Sequence, residues 1–268
     1  MEEQEAGSAA KWVTRCTWRD VEHSIMLTIR DRHLCWQQER GVVPLAATGA
    51  QMKGPQMKLT VFGATGGIGG HVVRQALDAG HTVTAVVRDP ARFTVRHPAL
   101  EVATVPDLTA PDVLRPVLAA SDAAISGVGP RGRHAGPVAS STTRGILRAL
   151  EVSGSRRFVA VSAAPVGPTP EGDSFVNRRI VLPFVSALFR DLYADLAEME
   201  DEIRRSITNW TVVRPPKLVN KPLTGTYRTV VDGNVPRAYT ISRADAAHAM
   251  LAALNNPATL RKAIGIAY

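Results

Sequence analysis

Residues 57–70 read Met-Lys-Leu-Thr-Val-Phe-Gly-Ala-Thr-Gly-Gly-Ile-Gly-Gly, and this stretch predicts the fold. Residues 59–62 form a short apolar run that leads directly into the glycines, and residues 71–79 follow as an amphipathic helical pattern that ends before Gly80. A strand, a glycine loop and a helix in this order are typical of the first unit of a parallel α/β sheet.

Strand and helix patterns alternate along the chain from this point. Strands are predicted at residues 59–62, 82–87, 123–126, 158–162 and 210–213, and helices at residues 71–79, 111–120, 140–152, 191–206 and 243–254. Short connections between alternating elements predict a doubly wound, Rossmann-type α/β domain over residues 57–268, with a parallel sheet and helices on both faces.

Composition excludes several classes of protein. The 268 residues are 45% hydrophobic and 21% charged, which is typical of a soluble globular chain. The longest apolar stretch, residues 180–189, is interrupted by Pro183 and is about half the ~20 residues of a membrane span. The opening Met-Glu-Glu-Gln-Glu does not resemble a signal peptide, and two cysteines do not support a disulfide framework. We therefore expect a cytoplasmic protein.

Residues 1–56 differ from the rest of the chain. Their basic and acidic residues cancel, so the formal charge of +8 belongs to residues 57–268. They show no sustained strand or helix period, and their end is rich in small and polar residues. We expect a poorly structured N-terminal extension, with the natural product beginning at Met57 or Met52. The alternative is a genuine targeting or docking segment.

The glycines of the loop have distinct physical roles. Gly63 permits a tight turn, Gly66 lets the backbone approach a diphosphate, and Gly69 lets the helix pack close to the strand. The N-terminus of the helix then presents N–H groups and a positive dipole end to an anion. The loop therefore predicts that the domain binds a dinucleotide.

The end of the second strand bears on which dinucleotide is bound. The strand ends in Val86-Val87-Arg88-Asp89-Pro90, and Arg92 follows. An arginine here accommodates the 2′-phosphate of NADP, whereas an acidic residue binds the ribose of NAD. Arg88 favours NADP(H) over NAD(H). Asp89 leaves two interpretations open, since it either binds the ribose or is the turn residue before Pro90.

These motifs lead to a family resemblance. Gly-Ala-Thr-Gly-x-x-Gly, Val-Arg-Asp-Pro-Ala-Arg at 87–92, Asp-Leu-Thr at 107–109, Phe-Val-Ala-Val-Ser at 158–162, Trp-Thr-Val-Val-Arg-Pro at 210–215 and Ile-Ser-Arg-Ala-Asp at 241–245 resemble the atypical short-chain dehydrogenases/reductases. The likeness is greatest to the branch with biliverdin-IXβ reductase (flavin reductase) and NmrA-like proteins. It covers residues 57–268 and none of residues 1–56.

The resemblance implies a set of coenzyme contacts. The glycine loop would hold the diphosphate, and Arg88 and Arg92 would bind the 2′-phosphate. Residues 107–108 would contact the adenine. Residues 127–129 would follow the coenzyme toward the nicotinamide, which Ser162 would face. The predicted binding residues are Gly63, Thr65, Gly66, Gly67, Ile68, Gly69, Arg88, Arg92, Asp107, Leu108, Gly127, Val128, Gly129 and Ser162.

The usual catalytic pair of short-chain dehydrogenases, a Tyr with a Lys four residues later, is absent. Tyr193 is the nearest candidate, but Ala197 stands where the lysine would be. Without the cation, a phenol keeps a pKa of about 10 and is a poor acid at neutral pH. The resemblance therefore implies direct hydride delivery from NADPH to a conjugated or flavin-like acceptor. Ser162 is the main candidate to orient the acceptor or the nicotinamide, and the alternative is a hydroxyl that caps local backbone.

Other features bear on partners. Arg131, Arg133 and His134 are candidates to bind an anionic substrate or are simply a solvated loop, and residues 180–189 suit a pocket wall or a core segment.

The arginines come in scattered pairs without aromatic stacking residues, so nucleic-acid binding is not favoured. No metal-ligand spacing is present. We expect a monomer with a small-molecule substrate; the alternative function is a non-catalytic NADP(H)-binding redox sensor, as among NmrA-like proteins.

Overall fold

The structure is a computed structural model, and it describes residues 55–129, 136–154, 157–170, 173–175, 179 and 182–268. The predicted N-terminal extension lies almost entirely outside these residues and stays a prediction.

One large sheet organises the described part of the chain. Its strand order is β3-β2-β1-β4-β5-β6-β10-β8, and every neighbouring pair is parallel except β10 and β8. A second, parallel pair is formed by β7 and β9. The strands are β1 Lys58–Phe62, β2 Thr82–Val87, β3 Leu100–Thr104, β4 Ala123–Ser126, β5 Arg157–Val161, β6 Asn209–Arg214, β7 Lys217–Val219, β8 Arg228–Val231, β9 Thr240–Ser242 and β10 Lys262–Ala267.

Helices cover both faces of the sheet. They are α1 Gly69–Asp78, α2 Pro111–Leu118, α3 Val138–Ser153, α4 Leu182–Leu188, α5 Arg190–Arg205 and α6 Arg243–Leu254. On one face α1 packs beside α6, and on the other α3 packs between α2 and α5. The doubly wound Rossmann-type fold is therefore confirmed.

Two hydrophobic cores lie on opposite faces of the sheet. Leu59 and Val61 of β1 join the core under α1 and α6, whereas Phe62 joins the core under α2, α3 and α5. Side chains of a strand alternate between its two faces, so a strand buried on both sides needs an apolar run such as the one before the glycine loop. Each large apolar side chain buried in this way contributes about 1.5–3 kcal/mol.

The sequence pattern misses three strands of the large sheet, β3, β8 and β10. In β10, Gly265 stands in the middle of an otherwise apolar strand, because a side chain there would collide with the carbonyl oxygen of Gly233. Of the described helices, none is both long and apolar enough to cross a membrane.

Candidate functional site

A cleft of about 950 Å³ lies at the carboxyl ends of the parallel strands. It passes the gap between β1 and β4, where the strand order reverses direction; this is the topological switch point of the sheet and the usual ligand site of this fold. Its volume is in the range of small-molecule sites. The predicted residues that line it are Gly63, Thr65, Gly66, Gly67, Ile68, Arg88, Arg92, Asp107, Leu108, Gly127, Val128, Gly129 and Ser162. Of the predicted binding residues, only Gly69 is not among the lining residues.

Main-chain contacts hold the glycine loop in shape. Gly63 has φ of 73°, and a β-carbon on it would come 2.8 Å from the backbone of Gly127. A β-carbon on Gly69 would collide with the carbonyl oxygen of Gly63, so Gly69 acts by letting α1 start close to β1 rather than by lining the cleft. A β-carbon on Gly66 would come 3.1 Å from the same oxygen. The loop is therefore closed by backbone packed on backbone.

The N-terminus of α1 suits an anion. Ile68 at its N-cap gives no side-chain hydrogen bond, and no acidic residue stands in the first turn, so the protein does not neutralise the first-turn N–H groups with its own carboxylate. Burial, followed by the positive charges of Arg74 and Arg243, lowers the pKa of His71 nearby. The region favours the negative charge of a diphosphate.

Arg243 is a cleft residue that the sequence analysis did not single out. Its side chain lies against Gly67, where a β-carbon would come 2.7 Å from Cδ of the arginine, and its Nη1 donates a hydrogen bond to Oδ1 of Asn220 at 2.7 Å. Arg243 is the first residue of α6, far from the loop in sequence. No local pattern indicates this contact, since only the packing of α6 beside α1 brings the two together.

Two exposed arginines stand at the end of β2. Arg88 and Arg92 both line the cleft. Between them, Oδ1 of Asp89 accepts a hydrogen bond from the N–H of Ala91 at 3.0 Å and caps the 3₁₀ turn Pro90–Arg92. This bond favours the interpretation of Asp89 as the turn residue.

Asp107 fixes the next loop. Its Oδ1 accepts hydrogen bonds from Oγ1 of Thr109 at 2.6 Å and from the N–H of Thr109 at 2.8 Å, and these bonds hold the pKa of the carboxyl below its usual value. Leu108, between them, lines the cleft.

Ser162 follows β5 at the centre of the sheet. Its residue is 7% exposed, its N–H donates to the carbonyl oxygen of Val213 at 2.8 Å, and it lines the cleft. In the described part of the chain its Oγ has no hydrogen-bond partner. The alternative of a backbone-capping hydroxyl therefore finds no bond here, and a buried hydroxyl without a partner is costly unless a ligand supplies one.

Helix α5 presents leucines to the cleft. Leu192 and Leu196 line it and, being four residues apart, lie on one face of the helix. Tyr193 is not among the lining residues; its ring packs edge to face on Phe189 with centroids 6.2 Å apart, and burial raises the pKa of its phenol. The structure does not bring Tyr193 to the site, because its side chain projects from a different side of α5 than Leu192 and Leu196.

Buried polar contacts hold α5 in place. Asp195, between the two leucines, accepts hydrogen bonds from the N–H groups of Ala139 and Ser140 in the first turn of α3, at 2.8 and 2.9 Å. Further along, Glu200 is fully buried and accepts from Nε of Arg214 at 2.9 Å. The leucine face is therefore fixed against α3 and the end of β6.

The sequence analysis also named two other segments as candidates for the substrate site. Arg131, Arg133 and His134 lie outside the described residues. In the segment 180–189, Phe184 and Leu188 are 70% and 45% exposed, and no described residue of the segment lines the cleft. In the described part of the chain, no group of histidine, cysteine and acidic side chains could hold a metal ion.

Comparisons with known proteins identify the family. A family model described as NAD(P)H-binding matches residues 63–257. An uncharacterized chloroplastic protein of Arabidopsis thaliana is 30% identical over 193 residues, which cover 67% of this chain and 68% of that protein.

Solved structures share the fold. A short-chain dehydrogenase/reductase from Veillonella parvula in complex with NADP superposes with a TM-score of 0.67 at 19% identity, covering 79% of this chain and 94% of that chain. A protein from Streptococcus pneumoniae, proposed to be an NADH-flavin reductase, gives 0.64 at 24% identity, covering 79% and 99%. With a matching family model over most of its length, this chain belongs to the NAD(P)H-binding family and has the fold of the atypical short-chain dehydrogenases/reductases.

Proposed function

We propose that the protein is an NADPH-dependent reductase that passes a hydride to a small conjugated or flavin-like acceptor, with water as the source of protons. The observation that carries this proposal is the face of α5 in the cleft. Of the described residues of α5, Leu192 and Leu196 line the cleft, and Tyr193 does not. A cleft wall of this kind offers no general acid to a developing alkoxide.

The residues present fit a nicotinamide dinucleotide. The loop around Gly66 and the open N-terminus of α1 would hold the diphosphate, and Asp107 and Leu108 would border the adenine. Arg88 and Arg92 support NADPH over NADH, because guanidinium groups bind phosphate in charge-assisted, bidentate contacts and Asp89 is engaged by its own turn. When bound, the reduced nicotinamide supplies the hydride.

The acceptor end of the cleft would work by alignment. Ser162 would donate its hydrogen bond to an oxygen or nitrogen of the acceptor or to the nicotinamide carboxamide. Leu192 and Leu196 would exclude water from one side of the reacting pair. Holding two reactants at contact distance is a large source of rate enhancement. The Streptococcus pneumoniae protein proposed as an NADH-flavin reductase supports an acceptor of this class.

The test follows the absorbance of NADPH in the presence of flavin mononucleotide, a naphthoquinone or a simple aliphatic ketone. We expect turnover with the conjugated acceptors and none with the ketone. Tight NADPH binding without turnover of any acceptor would favour the redox-sensor alternative. Calorimetry without a binding signal for NADPH and NADH would overturn both.

A further inference from the structure

We infer that Leu192 and Leu196 determine which acceptor the protein takes: they form a wall, the acceptor wall, that receives the face of an uncharged conjugated ring while Ser162 binds its carbonyl oxygen. This inference rests on the proposed function and specifies the acceptor subsite within it.

The geometry places an apolar surface beside the hydroxyl of Ser162. Val138 and Ala163 line the cleft with the two leucines, and Leu196 is 6% exposed. Ser162 directly precedes Ala163 and brings an unpartnered Oγ to the same end of the cleft. None of these residues carries a charge. A ring with one carbonyl would therefore satisfy both the apolar surface and the hydroxyl.

The acceptor wall is held from behind. Asp195 lies between the two leucines in α5, and its carboxylate accepts hydrogen bonds from the first turn of α3. Val138 begins that same turn of α3. A charged acceptor group placed against this wall would lose its hydration without gaining a partner from it. The wall consequently selects against charge as well as for shape.

The chemistry requires conjugation. The acceptor gains a hydride at one ring atom, and the electron pair displaced from its π-system moves to the carbonyl oxygen, where Ser162 donates a hydrogen bond and water then supplies the proton. The acceptor is reduced by two electrons and the nicotinamide is oxidised by two. An isolated ketone would place full alkoxide charge beside the leucines, which offer no proton.

The test measures ring binding separately from turnover. Menadione, a neutral naphthoquinone, and the anionic sulfonate 1,4-naphthoquinone-2-sulfonate are titrated by calorimetry into the full chain loaded with NADP⁺, which cannot reduce them. The wild type is compared with Leu192→Asn and Leu196→Asn, and with Leu192→Met and Leu196→Met as matched apolar controls. NADPH affinity and the melting temperature of each variant show whether it is folded. If Leu196→Asn does not fold, Leu192→Asn alone carries the test, because Leu192 is only half-buried.

We expect the wild type to bind menadione at least tenfold more tightly than the sulfonate. Each asparagine variant should lose about tenfold in menadione affinity, the scale of one buried polar group left unpaired, whereas the methionine variants should stay within about threefold. Equal binding of the two quinones, no binding of menadione, or unchanged affinity in folded asparagine variants would overturn the inference. Menadione binding that responds to the leucines without any turnover by NADPH would instead contradict the proposed function alone.

Discussion

Arg243 packs across Gly67, so that a single added methyl group on the glycine would meet the arginine side chain at 2.7 Å. The arginine is held there by an amide, Asn220, and no carboxylate of the described residues pairs with it. A cation in this position faces the part of the cleft proposed for the diphosphate, which NADPH and NADH share.

The first prediction concerns this arginine. Arg243→Ala should weaken NADPH and NADH binding by the same factor, about tenfold, since it removes a charge-assisted contact to a common group. Fluorescence titration of both coenzymes measures the two factors, and Arg243→Lys should recover part of the loss. A change in the ratio of the two affinities would show that the contact is made to the 2′-phosphate instead.

The second prediction concerns coenzyme preference. Arg88→Ala should lower NADPH affinity by about tenfold or more and leave NADH affinity within about twofold, because only NADPH carries the 2′-phosphate. Arg96→Ala is the matched control, since Arg96 bonds the carbonyl oxygens of Phe93 and Val95 and does not line the cleft. Equal losses for both coenzymes in Arg88→Ala would contradict the preference for NADPH.

The third prediction separates stability from function at Ser162. Ser162→Ala should raise the free energy of unfolding by up to about 1 kcal/mol, because it removes a buried hydroxyl without a partner. The same change should lower kcat with a conjugated acceptor, since the ligand's hydrogen bond is lost. Thr143→Val is the control: its Oγ1 is also buried and unpartnered, but the residue does not line the cleft, so only stability should respond.

The fourth prediction concerns the support of the leucine face. Asp195→Ala removes the carboxylate that caps α3 and should cost about 1–2 kcal/mol in the free energy of unfolding. It should also raise the KM for the acceptor more than the KM for NADPH, because Leu192 and Leu196 lose their registration against α3. Asp191→Ala, an exposed residue in the first turn of the same helix, should change neither KM.

The fifth prediction is a loss of stability in mild acid. Burial lowers the pKa of His248, whose Nδ1 lies 2.8 Å from the hydroxyl of Tyr227, and burial also lowers the pKa of His81. In the unfolded chain these imidazoles bind protons near their ordinary pKa of about 6.5. The unfolded state then binds more protons than the folded one, so the free energy of unfolding falls as the pH drops from about 7 to about 5.

Denaturant unfolding across this pH range measures the slope. His248→Gln, which keeps a hydrogen-bond acceptor for Tyr227, should reduce it. An unchanged slope in His248→Gln would contradict the assignment.

The strongly patterned strands were predictable from the sequence, and the edge of the sheet was not. All residues of the strand β2 except Ala85 are β-branched and none is exposed, so its pattern indicates it directly. The strand β3 lies at the edge of the sheet with most of its residues exposed, so its sequence shows little apolar pattern. Its pairing with β2 is what makes it a strand. The strand β10 is buried inside the sheet, but its apolar pattern is interrupted by Gly265, and the sequence did not predict it either.

At the site, residues on the glycine loop were predictable because a local motif carries them, and those on helices were not. The buried face of α5 is difficult to predict from its sequence, because two carboxylates, Asp195 and Glu200, are buried on it together with Leu196, Met199 and Ile203. Tyr193 was predicted because it is the tyrosine nearest to the expected position on this helix, and that argument does not say which side of the helix faces the cleft. Their partners, the α3 backbone and Arg214, come from distant parts of the chain and give no signal in the local sequence.

The tight closure of the glycine loop also bears on how this protein can change. A β-carbon on Gly63, Gly69 or Gly127 would meet the backbone of another of the three, so substitutions there threaten the junction of the first strand and its helix before they affect any ligand. Arg88 and Arg92 stand on the surface, where replacement disturbs little else. If these two arginines set the nucleotide preference as proposed, it can change by single substitutions at the surface while the junction of β1 and α1 stays constant.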